Sequence, residues 1–226
     1  MHIPDGFIDG GTSLVAGAAA VAGVAACLKR STRTLEEELA PVAGAVAAFV
    51  FAGQMLNFPV AGGTSGHLIG AVLAAVLVGP WLAAVCVTAV LAVQALLFAD
   101  GGLTALGLNV VNMSLIAVFG GYVIFLVARR LLPASQGAVV AASAMAAWAS
   151  VALASLAFGL EYLMGGTGSA SAGTVTAAML GVHVLVGIGE AVITALTVSV
   201  VLAVRPDLVY GTRGIDSSRP RALAGG

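Results

Sequence analysis

Charge is what this chain has least of. Of 226 residues, 8% are Asp, Glu, Lys or Arg and 60% are hydrophobic. Soluble domains carry about 25% charged residues, so a water-soluble domain is excluded and an all-α integral membrane protein is expected. Positive charge is missing altogether from the first 28 residues. A cleavable signal peptide begins with a positive stretch, so the terminus is expected to be retained. Cysteine is confined to Cys27 and Cys86, both in apolar runs without CxxC spacing, which fits buried, inert thiols. No GxxxxGK[ST] phosphate loop occurs, so ATP hydrolysis by this chain is not expected.

What is abundant is apolar sequence in membrane-length runs of roughly 17–25 residues. Runs over about 12–28, 41–56, 67–79, 81–98, 107–128, 137–159 and 175–204 predict a bundle of seven transmembrane helices. They form one membrane domain, 1–204, which opens with a distinct N-terminal segment at 1–11. The tail at 205–226 is expected to be cytoplasmic and disordered. Seven crossings put the termini on opposite sides. Lys29, Arg30 and Arg33 follow the first run, Arg129 and Arg130 the fifth, and Arg205, Arg213, Arg219 and Arg221 the last. With the N-terminus outside, all of them fall on the cytoplasmic side, as the positive-inside rule requires. Asp5, Asp9, Asp100 and Glu161 then lie outside, while the Glu36–Glu38 run shares a cytoplasmic loop with positive residues.

Small residues recur at three-to-four spacing at Ala16, Ala20 and Gly23 and at Ala142, Ala146 and Ala149. They predict close helix packing, either within the bundle or against another subunit.

Polar residues in lipid are costly and face the bundle interior. The stretch NFPVAGGTSGHLIG, from Asn57 through Ser65 to His67 and Gly70, is too rich in Gly and Pro to be helical. It predicts irregular backbone lining a cavity. In GLNVVNMS, Asn109 and Asn112 share a helix face, and Gln94 adds an amide. In GVHVLVGIGEAVIT, His183 and Glu190 stand two turns apart on one face, and both are taken as supporting residues.

The first residues are MHIPDGF. A free Met1 amine, the His2 amide nitrogen and the His2 imidazole can reach one ion, closing a five-membered and a six-membered chelate ring. That leaves one position in the plane, which His67 can fill. Planar nitrogen coordination suits Ni(II) or Cu(II), and low-spin Co(II) tolerates it. Bulky His2 protects Met1 from removal, and Pro4-Asp5-Gly6 is turn chemistry that folds the terminus back. About ten residues span up to ~33 Å when extended.

With MHIPDGF at 1–7, GGTSGHLIGA at 62–71, LNVVNM at 108–113 and GVHVLVGIGEAVIT at 181–194, the chain resembles the CbiM/NikM family. These are the substrate-binding membrane components of energy-coupling-factor transporters for cobalt and nickel. The resemblance implies a seven-helix bundle with the external N-terminus threaded into its centre. It also implies metal held by the Met1 amine, the His2 amide and imidazole, and the His67 imidazole. Asn57, Ser65, Asn109, Asn112, His183 and Glu190 are carried as supporting candidates. Implied partners are a membrane coupling subunit, cytoplasmic ATPases and a small additional membrane subunit, in a bacterial or archaeal plasma membrane. No permanent cofactor and no nucleic-acid partner are expected, and the ion is cargo. The metal-binding motifs lean slightly towards nickel. The rival is a passive channel for a small polar or cationic solute built around Asn57, Asn109 and Asn112. An intramembrane enzyme using His183 and Glu190 lacks a nucleophile.

Overall fold

A computed structural model describes residues 1–32, 39–59 and 65–213. Arg33, the Glu36–Glu38 run, the Gly62–Gly63 pair and residues 214–226 lie outside the described residues. The chain runs α1 (Gly10–Ser31), α2 (Leu39–Gln54), β1 (Phe58–Pro59), β2 (Ser65–Gly66), α3 (Ala71–Val78), α4 (Pro80–Leu97) and α5 (Leu106–Asn109). A π-helical stretch (Val110–Gly120) leads directly into α6 (Gly121–Leu131), and α7 (Gln136–Gly165) and α8 (Ala172–Val204) follow. Two 3-10 turns, Pro206–Leu208 and Tyr210–Thr212, complete the described chain.

Helix starts follow local chemistry. Asp9 caps α1 by accepting from Thr12 N at 2.9 Å, and Ser135 and Ser171 do the same for α7 and α8. Lys29 and Arg30 close α1 where the helix dipole favours cations. Pro80 opens α4 at a position that needs no amide hydrogen. Gly79 before it has φ +84, and an added Cβ would meet the Tyr210 ring at 3.0 Å.

Close helix approaches use small residues, as expected in lipid. A Cβ on Gly107 of α5 would sit 2.4 Å from Gly17 Cα of α1, and one on Gly159 of α7 would hit Thr176 of α8. Ala20, Ala142 and Ala146 are buried within the bundle. Outward faces are apolar instead. On α8, Leu185, Ile188, Val192, Leu196 and Val200 are all more than half exposed at three-to-four spacing, a stripe suited to lipid. Among the described residues five helical segments, α1, α4, the continuous 106–131 helix, α7 and α8, are long and apolar enough to cross a membrane, whereas α2 has 16 residues.

The third helix is shorter than its apolar run: it covers only Ala71–Val78, eight wholly buried residues, and His67 lies in the irregular stretch before it, as the Gly- and Pro-rich sequence predicts. Glu190 holds the end of that stretch, its carboxylate accepting from the Ile69 and Gly70 amides at 2.8 and 2.5 Å, and Gly70 takes φ +72. Residues 205–213 pack back on the bundle: Arg129 Nη1 donates to Gly211 O at 2.6 Å and Val209 is buried.

Candidate metal-capture site

The N-terminal segment enters the bundle. Its backbone is held at both edges: Ile3 N donates to Asn109 Oδ1 (2.8 Å), Asn109 Nδ2 donates back to Ile3 O (3.2 Å), and Gly102 N also donates to Ile3 O (2.8 Å). Asp9 N and Thr167 N tie residues 7–9 to the end of α7, at 2.7 Å to Gly165 O and 3.1 Å to Phe7 O. Asp5 accepts from Thr104 N and Oγ1 at 2.7 and 2.5 Å, which holds its carboxyl below the usual range. Phe7 packs on Phe158 and Tyr162, with ring centroids 5.8 and 5.1 Å apart. Met1 and Ile3 are consequently 0% exposed, and Ser155 Oγ lies 3.7 Å from the Met1 sulfur.

His2 and His67 meet at this point. Their rings stack with centroids 4.4 Å apart and planes 25° apart, and both residues are buried. His67 Nδ1 lies 2.7 Å from Leu68 O, which fixes the proton on Nδ1 and leaves Nε2 as a lone pair. His2 Nδ1 lies 3.0 Å from Asp100 Oδ1. The Nε2 atoms of both rings are buried with no hydrogen-bond partner among the described residues. Buried polar atoms are nearly always paired, so two bare ring nitrogens beside one amine mark a ligand site.

Burial favours the neutral forms of these nitrogens. It holds the Met1 amine well below its ordinary range, against the pull of Asp100. Burial lowers His2 too, opposed by its contact with Asp100. Burial raises Asp100, but the close approach of His2, with Asn57 and the terminus, outweighs it and leaves the carboxyl below its usual range.

The supporting residues divide. Asn57 Nδ2 donates to Asp100 Oδ2 at 2.9 Å and so steadies the carboxylate beside His2. Asn109 braces the terminus. Asn112 Nδ2 instead donates to Glu161 Oε2 at 2.6 Å. Ser65 pairs with Pro59 in the two-residue ladder leading to His67. Glu190 grips the segment after His67, and His183 is fully buried in α8. Sequence reasoning passed over Asp100, whose only signal was an acid before two glycines at the end of an apolar run. There Ala99 takes φ +52 and Gly101 φ +89. Among the described residues no three His, Cys, Asp or Glu side chains converge closely enough to hold an ion.

A polytopic helical membrane protein with buried nitrogen donors at one end is the class that fold and site define. Residues 2–208 match the family profile described as the cobalt uptake substrate-specific transmembrane region. The chain is 40% identical over 215 residues to a putative metal transport protein of Haloquadratum walsbyi, covering 93% of this chain and 94% of the relative. It is 40% identical over 211 residues to a putative fused nickel transport protein NikMN of Archaeoglobus fulgidus, covering 92% and 68%. A crystal structure of a transition metal transporter superposes with a TM-score of 0.84 at 35% identity, over 90% of this chain and 93% of that one. The chain belongs to the CbiM family of cobalt and nickel transport components.

Proposed function

We propose that the chain captures Ni(II) or Co(II) from outside the cell and delivers it inward as the substrate-specific subunit of an energy-coupling-factor transporter. The ion is held by the Met1 amine, the His2 amide and imidazole nitrogens and the His67 imidazole. The observation that carries this is the His2–His67 pair. Two imidazoles bound side by side on a planar ion, each nitrogen ~2 Å from the metal, hold their centroids roughly 4.5 Å apart, against the 4.4 Å found. Only His2 Nδ1 can close the six-membered ring, and that atom faces Asp100. Loading therefore trades the Asp100 contact for the ion and moves the ring proton to Nε2.

The proposed topology has the N-terminus outside, seven crossings and a cytoplasmic C-terminus in the plasma membrane. The third crossing combines the irregular residues before Gly70 with the short α3. Charge segregation supports the orientation. Arg30 and Arg213 line one cleft, and Arg129 reaches Gly211 at the same end. Asp5, Asp9 and Asp100 are bonded at the opposite end. A coupling subunit and ATPases supply the energy, and the fused NikMN relative supports a small additional subunit. A passive channel is disfavoured because Asn57, Asn109 and Asn112 each already donate to a partner. His2→Ala removes the imidazole and with it the six-membered chelate ring. Ni(II) and Co(II) affinity, measured by calorimetry, should fall by about 100-fold or more, and unchanged affinity would place the site elsewhere.

A further inference from the structure

The third imidazole, His183, repeats the bonding of His67. Each ring places Nδ1 2.7 Å from a backbone carbonyl, Leu68 O for His67 and Met179 O for His183. In both the proton is thereby fixed on Nδ1 and Nε2 is left as a lone pair. Nε2 of His183 is buried without a hydrogen-bond partner among the described residues, and the residue is 0% exposed. A bare acceptor in a bundle core is costly, and packing alone would be better served by an apolar side chain.

Its position is equally specific. Depth along the helices and the grip of α8 on the His67 segment place it. Ser155, which touches the Met1 sulfur, and His183 each lie roughly 15–18 Å inside the near ends of α7 and α8 at 1.5 Å per residue. His183 is thus at the floor of the site, at the depth Met1 reaches. Seven residues further along α8, Glu190 grips Ile69 and Gly70 and sets α8 against the His67 segment. His2, His67 and His183 do not converge as one three-ligand cluster, so His183 stands outside the capture shell.

We infer that His183 is a further metal donor, whose Nε2 forms with His67 a transfer site that receives the dication when the Met1–His2 claw lets go. This rests on the capture reading above. The test uses the full-length protein in detergent with Ni(II) alone. His183→Asn keeps a donor for Met179 O while removing Nε2, and His183→Gln serves as a second variant. In a His2→Ala background, where the claw is disabled, weak Ni(II) binding should remain. Adding His183→Asn or His183→Gln should then lower affinity by at least about tenfold. In the otherwise native chain, either change should cost less than His67→Ala does. Equal affinities in the His2→Ala background, or no measurable binding there at all, would overturn the transfer site. So would a loss matching that of His67→Ala in the native background. If the native chain itself bound neither Ni(II) nor Co(II), the capture reading would fail first, and that outcome is distinguishable from the others.

Discussion

The first nine residues and the last nine described ones both lie outside the long helices, and they are held in opposite ways. Residues 205–213 fold into two 3-10 turns, pinned by Arg129 and by Tyr210 against Gly79, and none of their side-chain atoms is buried without a partner. Residues 1–9 are tied through their backbone to α5 and to the loops after α4 and α7, yet the two His2 ring nitrogens find no well-aligned hydrogen bond. The scaffold end saturates its polar groups. The capture end ties down its main chain from Ile3 onward and keeps the nitrogens of Met1 and His2 in reserve, so rigidity is secured without consuming the donors.

Four changes sharpen or break that contrast. The largest effect is expected from His67→Ala, which removes a donor held in reserve. Metal affinity should fall by about 100-fold or more, read by competition with a chelating dye, with little change in helicity by circular dichroism. Next is pH. Burial lowers the pKa of the Met1 amine and of His2, so protons compete with the ion less than they would for the same groups in water. The His2 amide must still lose its proton, so affinity should rise about tenfold per pH unit from pH 6 to 8 and fall more steeply below. Titration calorimetry at several pH values would record both slopes.

Asn109→Ala acts one step back. It leaves Ile3 N unpaired in the interior, at a cost of about 1–3 kcal/mol, and loosens the terminus. Affinity should drop by roughly 10-fold in the same dye competition. Arg129→Ala at the other end is expected to act least. It should lower Tm by roughly 2–6 °C in a thermal melt and leave metal binding as it was. A large loss of affinity in that variant would erase the distinction between the two ends.

The sequence made the apolar runs and the chelating terminus legible because both are local patterns. Hydropathy marks a helix wherever it packs, and Met1-His2 carries its chelate geometry in adjacent residues. The start of the helix after His67 was not legible because Glu190, which accepts from the Ile69 and Gly70 amides, lies about 120 positions away. Asp100 went unassigned for a similar reason: only the fold brings it against His2. The π-helical register of Val110–Gly120 leaves no mark in an apolar run, and the contact of Arg129 with Gly211 joins positions that no local pattern connects.

The most direct measurement is joint: metal content of the purified chain by elemental analysis, and mass spectrometry of its intact N-terminus. The account predicts one Ni or Co per chain, carried only by molecules that begin with an unblocked Met1. Stoichiometric metal on chains that begin at His2, or on chains with a blocked amine, would contradict it.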